Sequence, residues 1–69
     1  MLVKRRAIAR AIQWKGWPNR ITGLETHPIY PQLASFHGQD VYKNYWIVNE
    51  NGSYKVWSDD DFERVFVRV

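Results

Sequence analysis

Three consecutive acidic residues near the end of this 69-residue chain, Asp59-Asp60-Asp61, are candidates for binding a metal ion or for catalysis. Carboxylate oxygens bind divalent cations, but the oxygens must converge on one point, and neighbouring residues at a helix start point in different directions. Ser58 precedes the triplet and apolar residues follow it. That pattern is typical of a capped helix N-terminus, where carboxylates also favour the positive end of the helix dipole. The triplet therefore predicts helix capping and no metal site.

The two histidines are the remaining candidates for acid–base catalysis. His27 precedes a proline and His37 precedes a glycine, so both are expected in turns. Ser35 lies two residues from His37 but lacks the sequence context of an activated nucleophile. Cysteine is absent, which excludes disulfides and thiolate metal sites. We therefore expect no enzyme activity and no cofactor, and histidines that make local hydrogen bonds.

The basic first third of the chain offers binding chemistry instead. Residues 1–24 contain six Lys or Arg and no acid, whereas residues 58–64 contain four acids, so the net charge of +3 joins a basic end to an acidic end. The cations could neutralise the phosphates of a single-stranded nucleic acid, and the neighbouring rings of Trp14 and Trp17 could stack on its bases. An exposed Trp beside Arg equally suits a protein interface, and charge on an edge strand also prevents aggregation. The six cations are Lys4, Arg5, Arg6, Arg10, Lys15 and Arg20.

The clearest structural signal is Asn51-Gly52, which β-branched and aromatic residues flank on both sides. This pair predicts a β-hairpin with a two-residue type I′ turn, because both central residues of that turn need positive φ. The turn would place Glu50 opposite Ser53 and Trp46 opposite Trp57. Apolar side chains fall on both faces of this hairpin, so we expect protein to cover both faces at least in part.

A helix is expected over residues 58–66, directly after the hairpin. Ser58 is its predicted N-cap and can accept a hydrogen bond from the amide of Asp61. Phe62, Val65 and Phe66 are spaced i, i+3 and i+4, which gives one apolar stripe to pack on a sheet. The last three residues would fray or add a short strand.

Two segments are less regular. Residues 3–14 alternate in part like a strand but also present a helical stripe. We favour a strand, because a basic helix without an N-cap would leave unpaired amides beside like charges. Residues 15–39 contain Gly and Pro too often for a long element and predict a long ordered loop over the sheet, with a short turn of helix at 32–36.

The two ends of the chain also carry a recognisable pattern. Basic residues lead into a strand that ends in Ala11-Ile12-Gln13-Trp14, and the chain closes with the strand Tyr45-Trp46-Ile47-Val48 and the helix Asp61-Phe62-Glu63-Arg64-Val65-Phe66. This pattern resembles small phage and prophage accessory proteins; residues 17–41 do not share it. The resemblance implies a small phage-encoded protein that acts in the host cytoplasm, and it assigns no functional residue.

The expected fold is a single α+β domain over residues 1–69. It would comprise a small antiparallel sheet of three to four strands, one C-terminal helix and a long ordered loop. A domain of this size buries only about 60% of its unfolded surface, so its four Trp, four Tyr and three Phe are the main stabilising resource. The lack of cysteine fits a reducing cytoplasm. No apolar run approaches the length of a membrane span, so a membrane partner is not expected.

The predicted function is that of a non-enzymatic binding protein that attaches to a host or phage protein and modulates it. One alternative is a nucleic-acid-binding accessory protein that uses the basic, Trp-containing N-terminal region. Another is a dimer that sequesters a small molecule such as a nucleotide, since a small core with exposed strand edges favours a homo-oligomer. The residues expected to bind protein or nucleic acid are Arg5, Arg6, Arg10, Trp14, Trp17, Tyr30 and His37.

Overall fold

Turns rich in Gly, Pro and Asn divide the chain into short strands and a single short helix. The computed structural model describes residues 1–18 and 20–69, and within these residues it contains eight strands and one helix. In chain order the elements are β1 (Leu2–Lys4), β2 (Ile8–Gln13), β3 (Leu24–Thr26), β4 (Leu33–Phe36), β5 (Gln39–Tyr42), β6 (Trp46–Glu50), β7 (Ser53–Trp57), α1 (Asp59–Val65) and β8 (Val67–Arg68).

The strands form two antiparallel sheets. The main sheet has five strands in the order β7-β6-β2-β1-β8, and the small sheet has three in the order β3-β4-β5. The predicted α+β class with one C-terminal helix is confirmed. The predicted single sheet of three to four strands is wrong, because the N-terminal segment supplies two strands, the last residues supply another, and the expected loop forms a sheet of its own.

The hairpin of β6 and β7 forms as the Asn-Gly turn predicts. Asn51 and Gly52 have φ of 53° and 84°, the left-handed region that this turn requires. Glu50 pairs with Ser53 and Trp46 with Trp57, which is the predicted register. Because successive strand residues point to opposite faces, this hairpin supplies apolar side chains to both sides of the main sheet.

The N-terminal segment is extended, as predicted, but it is a hairpin and not one strand. A bend at residues 5–7 joins β1 to β2, with Leu2 opposite Arg10 and Lys4 opposite Ile8. β2 then pairs with β6, the central hairpin strand. β8 completes the sheet by pairing with β1, so the chain's final strand lies beside its first.

The prediction of a long loop over residues 15–39 is wrong, and so is the prediction of a helical turn at 32–36. These residues, with those that follow, build the small sheet, and β4 alternates between half-buried and buried positions, with Ala34 and Phe36 inside. Its turn to β5 is formed by His37 and Gly38, both at positive φ (48° and 78°). Strands of three or four residues between frequent turn residues are too short to show a periodic pattern, so the segment reads as a loop.

The helix begins after Ser58, whose hydroxyl accepts a hydrogen bond from the Asp61 amide at 3.2 Å. This cap and the acidic first turn are confirmed. Phe62 and Phe66 are buried against the main sheet, and Phe62 stacks on the Trp46 ring with centroids 3.9 Å apart. The helix is seven residues long, and no helix in residues 1–18 and 20–69 is long and apolar enough to cross a membrane.

The core consists of two clusters, one on each face of the main sheet. The helix-side cluster contains Val3, Ala9, Ala11, Trp46, Val48, Phe62 and Phe66. The small-sheet cluster contains Trp14, Ala34, Phe36, Val41 and Ile47. The hairpin contributes to both, which confirms that both of its faces are covered.

Candidate functional site

The small sheet covers only part of the second face of the main sheet. Strand register identifies which residues share that face, because directly opposed residues point to the same side. Ile47 and Val56 lie under the small sheet, whereas their neighbours on β1 and β2 are exposed. We call the uncovered part the open face; it comprises Leu2, Lys4, Ile8, Arg10, Ile12, Asn49, Tyr54 and Val67.

The open face alternates large apolar and basic side chains: Arg10 lies between Ile8 and Ile12 on β2, and Lys4 lies between Ile8 and Val67. The exposed fractions are 46% for Leu2, 58% for Ile8, 48% for Ile12 and 69% for Val67. The register places these side chains on adjacent strands, so they form one patch. Monomeric proteins rarely expose large contiguous apolar patches without a function for them.

The usual alternation is inverted in β2, and this explains the patch. Ala9 and Ala11 point towards the helix and are buried, while the larger Ile8 and Ile12 point outward. Small residues are needed inside because the rings of Phe62 and Phe66 occupy the space above them. The helix-side core therefore accounts for the alanines, but it does not require large apolar residues such as Ile8 and Ile12 on the outer face of β2.

A groove of about 510 Å³ runs between the open face and the small sheet. Ile12, Ile21, Ile47 and Phe36 supply its apolar lining, and no Asp or Glu is among the described residues that line it. A shallower depression of about 370 Å³ continues the surface across Leu2 and Ile8. Arg10 and Asn49 line both, so the groove and the depression form one continuous surface.

Four cations at this surface have no ion-pair partner among the residues that the structure describes. Lys4 and Arg10 lie on the open face, Arg20 lines the groove, and Arg6 lies beside Ile8 at the β1–β2 bend. Within residues 1–18 and 20–69, none of these four has a carboxylate within ion-pair distance. A surface on which apolar side chains alternate with cations that have no ion-pair partner in the described part of the chain can bind a partner that is both apolar and anionic.

The cations outside this surface differ. Arg5 donates two hydrogen bonds to the Glu50 carboxylate, at 2.9 and 2.8 Å, and Arg68 pairs with Glu63 at 2.8 Å. Arg64 pairs with Asp61, one helical turn away. The hydrogen bond to Glu50 raises the pKa of Arg5, and the hydrogen bond from Arg68 lowers the pKa of Glu63. Arg5 and Arg68 therefore join different elements of the fold, whereas the Arg64 pair lies within α1.

Of the residues predicted to bind, the structure places Arg6 and Arg10 at the open face and its edge, but Arg5 is engaged by Glu50. Its guanidinium also lies over the rings of Trp57 and Phe66, at 5.1 and 5.4 Å. The expectation that Trp14 offers a surface ring is corrected: Trp14 is 0% exposed, in the small-sheet cluster. It is buried because the small sheet, absent from the predicted fold, packs over it.

The other three predicted residues lie outside the open face. Trp17 is 64% exposed and lines a depression that shares Arg20 and Ile21 with the groove. Tyr30 is 61% exposed in the turn before β4. The His37 ring stacks on Tyr54, with centroids 5.5 Å apart, so it adjoins the side of the groove that Tyr54 forms.

The side chains considered for catalysis have structural roles. His27 Nδ1 accepts hydrogen bonds from the amides of Ile29 and Tyr30, both at 3.1 Å, which confirms the local role expected for it. Asp59 accepts hydrogen bonds from Trp46 Nε1 at 2.8 Å and Gln13 Nε2 at 3.3 Å. No three His, Asp or Glu side chains within residues 1–18 and 20–69 are grouped so as to hold a metal ion.

Sequence reasoning missed Leu2, Ile8 and Val67 as surface residues. The available signal was the run Ile8-Ala9-Arg10-Ala11-Ile12, in which large apolar and charged residues share one face and alanines occupy the other. On a strand that covers its small face with aromatic rings, this pattern predicts an apolar, basic outer face.

Comparisons of this chain with protein-family models, curated proteins and solved structures found no match, so no relative assigns a role to these residues.

Proposed function

We propose that this chain is a non-enzymatic binding protein that attaches to another protein through the open face. The resemblance of its two ends to small phage accessory proteins supports a phage-encoded protein that acts on a host or phage protein in the host cytoplasm. Attachment would modulate the partner by occupying its surface.

The observation that carries this proposal is the exposure of large apolar side chains on the open face. Leu2, Ile8 and Ile12 each leave about half of their surface in water, although a sheet face usually buries or replaces such residues. A protein partner that covered them would gain the free energy of removing that surface from water. A catalytic role has less support: His27 lines one depression with Ser35 and Asp40, but its Nδ1 already accepts hydrogen bonds from two backbone amides.

The structure supports nucleic-acid binding less well than the sequence does. Single strands bind by stacking bases on aromatic rings beside cations. Trp14 is buried and Arg5 is paired with Glu50. Tyr54 is the exposed aromatic ring among the residues of the open face, and Trp17 lies in a neighbouring depression, so fewer rings lie beside the cations than the sequence predicts.

The proposal can be tested by affinity capture from a nuclease-treated lysate of the source cells, read by quantitative mass spectrometry. The bait is the tagged chain, compared with the double variant Ile8→Thr/Ile12→Thr. The matched control is Ile29→Thr, because Ile29 is 74% exposed in a turn away from the open face. Trp17→Ala tests the exposed loop ring in the same experiment.

We expect one stoichiometric protein that survives nuclease, is lost with Ile8→Thr/Ile12→Thr and is retained by Ile29→Thr. Capture that depends on Trp17 and not on the isoleucines would place binding in the loops and contradict the proposal. Capture of a nuclease-sensitive mixture would instead favour nucleic acid.

A further inference from the structure

The charges of this molecule are segregated in a way that indicates the chemistry of its partner. On the helix side of the main sheet, the three arginines Arg5, Arg64 and Arg68 are paired with Glu50, Asp61 and Glu63, and Lys55 lies over the Trp57 ring. The cations at the open face and groove have no such partners within the described residues. Unpaired charges beside apolar surface favour a partner of opposite charge, because complementary charges speed association and like charges oppose it.

A second copy of this chain fits the open face poorly. A two-fold contact would place Lys4 and Arg10 against the same residues of the other copy, which like charges oppose. A head-to-tail contact through the acidic helix start would have to use Asp60, since Asp59 already accepts hydrogen bonds from Trp46 and Gln13, and Asp61 pairs with Arg64.

Addition of a strand to the edge of the main sheet is also disfavoured on the β7 side. The Gln39 side chain occupies that edge: its Nε2 donates to the Tyr54 carbonyl at 3.4 Å, and its Oε1 accepts from the Val56 amide at 3.3 Å. These are the backbone groups that an added strand would use. At the other edge, β8 is only two residues long. Docking onto the face is the arrangement that the structure leaves open.

We infer that the open face binds an amphipathic segment of another protein that carries Asp or Glu beside large apolar side chains. This inference rests on the proposed function and specifies its partner. The apolar side chains would lie in the groove along Ile12, Ile21 and Ile47, and the carboxylates would reach Arg10 and Arg20 at its rim. Arg suits this role because its planar guanidinium can bind a carboxylate through two hydrogen bonds.

The probe for this inference is a library of random 16-residue peptides displayed on phage and selected on the immobilised, folded chain. We expect the enriched peptides to combine Asp or Glu with Leu, Ile, Phe or Trp. The strongest peptide is then synthesised with a fluorophore, and its affinity is measured by anisotropy.

Two variants with the same loss of charge separate a specific contact from a change in net charge. Arg10→Gln removes a cation that lines the groove, and we expect the dissociation constant to rise about tenfold. Arg64→Gln removes a helix cation that is 74% exposed on its side chain, and we expect less than a twofold change. Circular dichroism confirms that both variants are folded.

The alternatives give distinct results. Enriched peptides without acidic residues, which lose affinity with Ile8→Thr/Ile12→Thr but not with Arg10→Gln, would overturn the acidic partner and leave the proposed function standing. Absence of enriched peptides, or peptides insensitive to both variants, would overturn both. Arg10-dependent binding of a (dT)16 oligonucleotide, or a dimer in sedimentation that the isoleucine variant dissociates, would also overturn the acidic protein partner.

Discussion

Replacement of Asp59 by Ala should destabilise the fold far more than the same replacement at Asp60. Both residues are acidic, adjacent and in the first helical turn, so each loses a favourable interaction with the helix dipole of about 0.3–1 kcal/mol. Only Asp59 also binds the main sheet. Its carboxylate accepts a hydrogen bond of 2.8 Å from the indole of Trp46, a residue that is 4% exposed, and one of 3.3 Å from Gln13.

The magnitude follows from the partner that is left behind. Without the carboxylate, the Trp46 N–H loses its acceptor beneath the helix, and an unsatisfied buried donor costs about 1–3 kcal/mol. Native domains of 69 residues have a free energy of unfolding of roughly 3–10 kcal/mol, so this loss is a large fraction of the total. The helix would remain capped by Ser58 and held to the sheet by its phenylalanines and by the pair of Glu63 with Arg68.

Urea unfolding followed by Trp fluorescence measures the difference. With an m value of about 1 kcal/mol/M, the midpoint of Asp59→Ala should lie about 1–3 M below that of Asp60→Ala. Asp59→Asn keeps one acceptor oxygen and should recover most of the difference. Equal midpoints for Asp59→Ala and Asp60→Ala would refute the reasoning, since they would show that the contact with Trp46 adds nothing to helix capping.

Three further predictions concern the periphery of the fold. The hydrogen bond from Arg68 lowers the pKa of Glu63, so the stability that this pair adds is complete above the ordinary value of 4.5 and is lost as pH falls through the lower folded-state pKa. The difference in urea midpoint between the wild type and Glu63→Gln should therefore be largest at neutral pH and vanish in acid. A difference that is constant with pH would contradict this. Gln39→Ala exposes the β7 edge and should raise self-association in sedimentation, whereas Gln32→Ala, elsewhere on the surface, should not; equal behaviour would show that Gln39 does not protect that edge. Gly52→Ala places a side chain at φ of 84° where no atom lies within 4 Å, so it should cost about 1–2 kcal/mol in urea unfolding through backbone strain alone, and an unchanged midpoint would argue against the turn geometry.

The parts of the fold that sequence predicted are those whose signals are local. Asn51 and Gly52 are adjacent in sequence and dictate a turn, and the turn fixes the register of its strands. Ser58 caps a helix whose first turn follows it directly. In each case the residues that determine the structure lie within a few positions of one another, so no knowledge of the rest of the chain is needed.

The parts that sequence did not predict depend on contacts between distant segments. Trp14 is buried because strands some 20 to 30 residues later form a sheet over it, and those strands are too short to be recognised individually. Arg5 is paired with Glu50, which is 45 residues away. Neither burial nor pairing could be read from the surroundings of the residue itself.

The sequence predicted only part of the candidate site, because the rest of the site also depends on contacts between distant segments. Arg10 was expected at the binding surface because of its charge, and β2 does expose it. Ile8 and Ile12 share the outer face of β2 with Arg10, but whether that face is covered depends on the extent of the small sheet. That sheet reaches Ile47 and Val56 and leaves the isoleucines in water.

The central claim is that a protein partner contacts the open face, and site-specific photo-cross-linking tests it most directly. Benzoylphenylalanine is introduced in place of Ile12, and in a second protein in place of Ile29, which is also exposed but lies in a turn. We expect illumination in cells to cross-link the protein substituted at position 12, and not the one substituted at position 29, to a single partner. An adduct from position 29 alone, or an adduct from position 12 with the mass of two copies of this chain, would contradict it.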